Sequence, residues 1–301
     1  MLKRFSLFTV LLLLLGSTAF GQVTLVRKYN EGDSYTAKNT VKTDQKLTIA
    51  GQDGSTNSST VVESKSTIGK KDADGKFSLK VDTNILSSEI GLPGGIKIKY
   101  DGKNPDAKDD NAGNEIAELV RDRIKANAKL SMTIVLGTDN TVVDVQGIKP
   151  GSEINPEDIK SEFAEQLKVF PGKPLKKGDT WEHEAKLNLG QGQILTLKRK
   201  YTYEGETSKS TVNSTRKVHK ITAVDSAVTY SAKEGPFKVT KSELKVDESK
   251  NTILFDPAAG RDIESSSLIR VSGKIGLSVG GMQLDGDLDL TMSSTQVEEI
   301  K

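Results

Sequence analysis

The feature that most constrains this chain is a regular alternation of apolar and polar residues along many segments. Because successive side chains of a β-strand point to opposite faces of the sheet, such a segment has one apolar face and one wet face. One-sided strands are typical of antiparallel sheets, whereas strands of parallel sheets are apolar on both faces. The pattern predicts a mainly β protein with long, curved antiparallel sheets. In the clearest segment Met282, Leu284, Leu288, Leu290 and Met292 alternate with Gln283, Asp285, Asp287 and Asp289.

Turn residues divide these strands. Asp74-Gly75, Asp139-Asn140 and Asp225-Ser226 each lie between alternating segments, where such dipeptides favour a hairpin turn. The polar stretch 52–59 is predicted to be a loop.

Two segments have the periodicity of a helix and are predicted to pack against the sheets. Residues 114–127 carry apolar side chains at helical spacing. In the second segment, about 155–170, Asn155 is suited to the N-cap and Pro156 to the first helical position. Pro171 and Gly172 should end this helix. Its apolar stripe consists of Ile159, Phe163, Leu167 and Phe170.

Residues 1–21 have the composition of an export signal. Lys3 and Arg4 precede an apolar run at 7–15, and small residues at Ala19 and Gly21 favour cleavage near Gly21. A retained membrane anchor is the alternative, although the run is shorter than the roughly 20 residues that cross a bilayer. We therefore expect a periplasmic or extracellular protein that is soluble after cleavage and has no transmembrane segment. The chain contains no cysteine, which excludes disulfides and a cysteine-linked lipid.

The charge balance argues against a nucleic-acid partner. The chain has 43 basic and 41 acidic residues, and removal of the export signal takes away two of the basic ones and none of the acidic ones. A nearly neutral chain has no general attraction for polyanions.

A short motif occurs twice, about half the exported chain apart. Gly32-Asp33-Ser34-Tyr35 and Gly178-Asp179-Thr180-Trp181 each precede a run of strands. The predicted turns at Asp74 and Asp225 have a similar offset. The repeated motif and turn predict two related β-rich halves, 22–150 and 151–301. The first half is expected to contain an inserted loop and helix near 101–127, and the second to begin with the linking helix. Chance is the alternative, because Gly-Asp turns are common between strands.

No residue can be nominated as catalytic, and no cofactor or metal is predicted. His183 and His219 lie on separate strand-like segments without a second ligand at suitable spacing. The acidic stretch Asp109, Asp110 and Asn111 lacks the spacing of an EF-hand loop and is interpreted as a solvated loop.

Two further groups have a structural and a functional interpretation. Asp285, Asp287 and Asp289 form a ladder of carboxylates that could hold a cation or a basic partner, but a solvated, aggregation-resistant strand is favoured. Trp181 is most simply a buried indole at a strand entry, and a ligand-stacking role is the alternative.

The segment Lys173-Pro174-Leu175-Lys176-Lys177-Gly178-Asp179-Thr180-Trp181 resembles a bacterial family of exported proteins of unknown function. Members carry a proline, a short spacer and Gly-Asp-Ser/Thr-Trp after a helix, and the strand-turn-strand at 135–147 is also similar. The resemblance implies an exported, β-rich protein with no established activity.

Two functions follow as hypotheses. The first is a non-catalytic binding or carrier module of the cell envelope for a lipid or another apolar ligand, with Ile159, Phe163 and Leu167 lining its cavity. The alternative is a structural or protein-interaction component of the envelope. A hydrolase is least favoured, because no nucleophile, base or metal cluster can be named.

Overall fold

The computed structural model describes residues 22–107, 113–148, 155–190, 192–210, 215–232 and 238–299. The export segment 1–21 and the acidic residues Asp109, Asp110 and Asn111 lie outside this part of the chain. The interpretations of both therefore remain predictions.

Long β-strands and two short α-helices make up the described residues, so the predicted fold class is confirmed. The strands are β1 (Ser34–Ile49), β2 (Gln52–Lys71), β3 (Phe77–Gly91), β4 (Lys97–Asp101), β5 (Lys129–Leu136), β6 (Val142–Gln146), β7 (Thr180–Gly190), β8 (Gln193–Ser210), β9 (Thr215–Ala232), β10 (Lys238–Asp256), β11 (Arg261–Val279) and β12 (Met282–Glu299). The helices are α1 (Glu115–Asn127) and α2 (Pro156–Leu167).

The strands form one antiparallel sheet rather than several. Its order is β6-β5-β3-β2-β1-β12-β11-β10-β9-β8-β7, and β4 pairs with the end of β3. The first and last strands meet in the middle, where Thr36 lies opposite Glu299 and Ile49 lies opposite Gly286. The described strands do not close the sheet, and β6 and β7 lie at the two ends of the strand order.

Alternation along the strands separates a buried face from a wet face, as predicted. In β12, Leu288 and Leu290 are buried, whereas Asp287 and Asp289 between them are exposed. The amphipathic strands thus bury their apolar side chains on one face of the sheet, which is the main driving force for the fold.

Two local predictions were wrong. The predicted turn at Asp225-Ser226 lies inside β9, where a β-bulge opposite Lys198 and Arg199 absorbs the irregularity. Asp225 is buried there and ion-paired rather than in a turn. The predicted polar loop 52–59 forms the start of β2, because pairing with β1 supplies its backbone hydrogen bonds despite its composition.

Both predicted helices are present, and each begins at an asparagine cap. The side chain of Asn114 accepts a hydrogen bond from the backbone of Ala117, and that of Asn155 accepts one from Glu157. Helix α2 ends at Leu167, three residues earlier than expected, because the chain beyond it turns to another part of the core. Phe170 lies there, in edge contact with Phe255 at a ring-centroid distance of 5.0 Å.

The apolar side of α1 is only partly covered by the described residues. Ala117 is buried, but Ile116 and Leu119 are 57% and 64% exposed. Helix α2 packs more closely, because Ile159, Phe163 and Leu167 contact a core cluster to which β2, β3, β5 and β6 contribute.

The two Gly-Asp motifs adopt the same turn. Gly32 and Gly178 both have positive φ, 84° and 91°, a conformation that favours glycine. In each motif the Gly N–H donates to a carbonyl on a nearby strand, whose N–H donates to the carbonyl of the following Asp. The partner is Ile68 for the first motif and Tyr203 for the second. The two strand entries are therefore equivalent, and the duplication itself remains a prediction.

Candidate functional site

A cleft of about 340 Å³ lies between α2 and the buried face of the sheet. Its walls come from α2, from the five strands β12, β1, β2, β3 and β5, from the start of β11 and from the segment that precedes β1. The lining residues are Arg27, Tyr29, Tyr35, Ala37, Asn39, Ser64, Ser66, Leu79, Val81, Thr83, Met132, Ile134, Ile159, Glu162, Phe163, Gln166, Leu167, Arg261, Asp262 and Gln296.

The strand register explains why residues far apart in sequence share this surface. Directly opposite residues of an antiparallel pair point to the same face. Tyr35 lies opposite Ser66, Ser66 opposite Val81, and Val81 opposite Met132, so one row crosses β1, β2, β3 and β5. Asn39 lies opposite Gln296 and so extends the same surface onto β12.

The floor of the cleft changes in character from one side to the other. On β12, β1 and β2 the lining side chains include Gln296, Asn39, Ser64 and Ser66, which are polar and uncharged. On β3 and β5 they are mostly apolar, and α2 adds a second apolar wall. The members of this apolar side are Leu79, Val81, Met132, Ile134, Ile159, Phe163 and Leu167. The cleft is therefore amphipathic.

Two arginines lie at one end of the cleft, and each already has a carboxylate partner. Arg27 Nη2 donates to Asp262 Oδ2 at 2.8 Å, and the guanidinium lies 5.2 Å from the ring centroid of Phe170. Arg261 binds Glu298 with two hydrogen bonds, of 2.9 and 2.8 Å. Such bidentate pairs are the strongest and most directional ion pairs in proteins.

Both arginines remain charged. Burial by itself would lower the pKa of Arg27, but the neighbouring Asp262 carboxylate outweighs it and the pKa is raised. The hydrogen bonds from Arg261 to Glu298 raise the pKa of this arginine as well. Burial also raises the pKa of Tyr29 to about 12, so its hydroxyl stays protonated at neutral pH.

The structure places Ile159, Phe163 and Leu167 in the lining of one cleft. The fourth member of the predicted stripe, Phe170, lies outside this cleft in the neighbouring cluster around Tyr201 and Phe255. The change of partner follows from the end of α2 at Leu167, after which the helical spacing no longer applies.

The two histidines are not brought together. His183, on β7, lies with Nε2 3.5 Å from a carboxylate oxygen of Glu165 on α2. His219, on β9, is buried, and its Nδ1 lies 2.6 Å from the hydroxyl of Tyr203. Desolvation by burial lowers the pKa of His219.

Trp181 is half-buried and supports the turn after α2. Its indole N–H donates to the carbonyl of Val169 at 2.7 Å, and its ring stacks on Tyr201 at 5.3 Å with an interplanar angle of 6°. The hydrogen bond and the stacked ring tie the segment after α2 to β8.

Two of the three carboxylates of the predicted ladder have a lysine directly opposite on a neighbouring strand. Asp285, Asp287 and Asp289 are exposed; Lys274 lies opposite Asp287 and Lys46 opposite Asp289. Within the described ranges, no group of three or more His, Asp and Glu residues is placed to hold a metal ion.

Sequence reasoning missed the buried charges. Asp225 has a fully buried side chain, and Arg199, Ser249 and Asn251 all donate hydrogen bonds to it. The sequence signal that could have identified Asp225 is the alternation along β9, because Asp225 continues the period-two series of the buried residues Ile221 and Ala223. Arg27 likewise continues the series from Val23 and Leu25.

Comparison with known proteins gives one partial match to a family model and no activity. Residues 151–250 match the model of a family of unknown function, DUF6263. This range runs from the approach to α2 into β10 and includes the Gly-Asp-Thr-Trp motif. No curated protein matches the chain.

Several solved structures are similar over most of the chain but at low scores. DynF from the dynemicin biosynthesis pathway of Micromonospora chersina is 8% identical, with a TM-score of 0.21 over 93% of this chain and 86% of that one. A DUF1329 family protein from Desulfovibrio piger is 9% identical, with a TM-score of 0.14 over 85% and 84%. OccK2 (OpdF) of Pseudomonas aeruginosa, in complex with glucuronate, is 9% identical, with a TM-score of 0.18 over 90% and 100%. Likeness at this level supports no statement about the function of this chain.

Neither helix in the described part of the chain is long and apolar enough to cross a membrane.

Proposed function

We propose that this chain is an exported, non-catalytic binding or carrier module of the cell envelope, and that the cleft under α2 binds an apolar ligand. The observation that carries the proposal is the lining of this cleft, in which an apolar helix stripe faces the apolar side chains of β3 and β5. Its volume of about 340 Å³ lies within the range of roughly 300–1,000 Å³ that small-molecule sites occupy.

The export segment and the cleft support the same proposal. The composition of residues 1–21 favours transfer out of the cytoplasm. In the aqueous space of the cell envelope, an apolar molecule needs a protein to shield it from water. A cleft between a helix and a sheet removes apolar surface of a ligand from water at about 25 cal/mol per Å².

The experiment is native mass spectrometry of gently purified full-length protein, combined with uptake of the uncharged apolar dye Nile red. We expect a co-purifying molecule or dye binding with wild-type protein. Ile159→Asp should abolish both the co-purifying molecule and the dye binding. The change places a carboxylate in the apolar wall, where a bound ligand would strip it of water at a large free-energy cost.

Helix α1 offers a matched control. Ile116→Asp makes the same change on an exposed residue near the start of the other helix. Dye uptake should persist in this variant. Absence of any ligand or dye in repeated wild-type preparations, or equal loss in the two variants, would rule out the cleft as a ligand site.

The interaction alternative is favoured by one observation, the open edge at β7. This strand pairs with β8 alone in the described sheet, and an edge strand of 11 residues can accept a strand from another chain. A stoichiometric partner whose binding protects the backbone amides of β7 from hydrogen exchange would support this function. Unchanged exchange at β7 in the partner complex would exclude it.

A further inference from the structure

The polar side of the cleft floor is built from uncharged side chains that both donate and accept hydrogen bonds. Asn39 on β1 lies directly opposite Gln296 on β12, and Ser64 and Ser66 line the cleft from the adjacent strand β2. Amide and hydroxyl groups of this kind match hydroxyl groups, which also combine a donor with acceptors.

One of these polar groups, the side-chain oxygen of Asn39, lacks a hydrogen-bond donor among the described residues. Asn39 Oδ1 is buried and makes no hydrogen bond to the described part of the chain. Leaving a buried acceptor unpaired is unfavourable, so a partner that donates a hydrogen bond stabilises this state. The terminal amide torsion of asparagine is broad, so its oxygen and nitrogen can exchange positions by rotation when a ligand binds.

The charged residues of the lining are already paired in charge, although Arg27 Nε and Asp262 Oδ1 are buried and make no hydrogen bond to the described part of the chain. Arg27 is paired with Asp262, Arg261 is paired with Glu298, and Glu162 on α2 also has a partner. A carboxylate or an ammonium group on a ligand would enter this half-buried site without a free counter-charge, at a desolvation cost. An uncharged polar group avoids that cost.

We infer that the cleft selects an uncharged, single-chain amphiphile with a hydroxylated head. The head lies on the polar side formed by β12, β1 and β2, and the chain lies between α2 and the apolar side chains of β3 and β5. The volume is near the lower end of the range for small-molecule sites, which favours one chain over two. This inference rests on the proposed function, because it names the ligand class of the same cleft.

The test is displacement of Nile red from the full chain by three amphiphiles with the same octyl tail, each used below its micellar concentration. They are octyl glucoside, octanoate and octyltrimethylammonium. We expect octyl glucoside to displace the dye at about tenfold lower concentration than either ion, the difference that one or two net hydrogen bonds produce.

Substitution of the floor tests where the head lies. Asn39→Leu keeps the size of the side chain and removes its amide, so it should reduce the preference for octyl glucoside to about threefold or less and leave octanoate binding unchanged. Gln296→Leu makes the equivalent change on β12 and serves if the first variant is unstable. Asn57→Leu, on an exposed position of β2 outside the cleft, should retain the full preference.

The outcomes separate this inference from the proposed function. If Nile red does not bind, the proposed function fails and the ligand class fails with it. If Nile red binds but either ion displaces it as well as octyl glucoside, the uncharged head is wrong and the apolar site stands. A preference that survives both Asn39→Leu and Gln296→Leu would exclude the floor of the cleft as the head-group site.

Discussion

At the scale of single residues, the buried pair formed by Arg199 and Asp225 is expected to have a large effect on stability. The side chain of Asp225 is 0% exposed and that of Arg199 is 13% exposed, and two hydrogen bonds of 2.7 and 3.1 Å join them. Removing one partner leaves the other charge buried and uncompensated. Asp225→Asn should therefore lower the free energy of unfolding by about 3–5 kcal/mol, measured by urea denaturation followed by circular dichroism.

The exposed pair of Lys241 and Glu243 is the control for this prediction. Its side chains are more than half exposed, so Glu243→Gln should change the free energy of unfolding by less than about 0.5 kcal/mol. The double variant Arg199→Met with Asp225→Asn should cost less than the sum of the two single changes, because the groups interact directly. Additive losses would show that the pair is not coupled.

His219 gives the protein a dependence of stability on pH. Burial lowers its pKa in the folded state, whereas an unfolded histidine has a pKa of about 6.5. Below about pH 6.5 the unfolded chain binds a proton that the folded chain resists, so the free energy of unfolding falls as the pH decreases. The full contribution is present above the unfolded pKa.

Substitution isolates this contribution. His219→Gln keeps an acceptor for the Tyr203 hydroxyl but does not titrate, so its unfolding midpoint should fall less between about pH 7.5 and pH 5.5 than that of wild type. Tyr203→Phe should keep the wild-type slope, since desolvation and not this hydrogen bond is the leading cause of the shift. Equal slopes in wild type and His219→Gln would remove His219 as the cause.

At the scale of elements, sequence periodicity identified most strands because each strand buries only one face. The prediction of strand bounds failed where residues typical of turns or loops lie inside a strand of the sheet. Asp225-Ser226 has turn composition, but an arginine from β8 neutralises the aspartate inside β9, a contact from 26 positions away. The stretch 52–59 is polar, yet pairing with β1 extends it as a strand. Long-range partners of this kind are invisible to a local pattern.

The candidate site was predictable in part. The spacing of Ile159, Phe163 and Leu167 identifies one wall of the cleft, since helical periodicity places them on one side of α2. The floor depends on the register of β12, β1, β2, β3 and β5, which a single strand does not reveal. The positions of Arg27 and Asp262 depend on the path of the segment before β1, which returns across the start of β11.

The caps of the two helices allow the role of α2 to be tested without touching the cleft. Asn114 and Asn155 each accept one hydrogen bond of 3.0 Å from their helix. Replacing either by alanine should destabilise its helix by about 1 kcal/mol. Because α2 forms a wall of the cleft and α1 contributes no residue to its lining, Asn155→Ala should weaken Nile red binding by about fivefold, and Asn114→Ala should leave it unchanged.

Fluorescence titration of both variants at equal protein concentration provides the measurement. A similar loss of dye binding in Asn114→Ala would indicate a general effect on folding. Unchanged binding in Asn155→Ala would show that α2 does not control access to the ligand.

At the scale of the whole molecule, the two predicted halves, 22–150 and 151–301, form one continuous sheet. The segment before β1 also crosses the boundary, because Val23 bridges to Leu175 and Leu25 is buried with Phe255. We propose that the halves derive from a duplication whose remaining trace is the shared turn at Gly32 and Gly178. Superposition of β1–β3 on β7–β9 tests this, and unrelated strand paths would refute it.

The continuous sheet predicts that neither half folds alone. Fragment 22–150 would expose β1 as an unpaired edge and lose α2, which covers its core cluster. Fragment 151–301 would expose β12 and lose Leu25 from its own core. Long unpaired edges with an apolar face promote aggregation, so each fragment expressed by itself should be insoluble or lack a cooperative unfolding transition.

Co-expression of the two fragments supplies the missing partner to each. The pairing of β1 with β12 and the packing of α2 should then restore a soluble complex, seen by co-purification through a tag on one fragment. Nile red should bind this complex and neither fragment, because β1, β2, β3 and β5 of the floor come from the first half, whereas α2 and β12 come from the second. If fragment 22–150 unfolds cooperatively and binds the dye without α2, the halves are independent domains and the cleft belongs to the first alone.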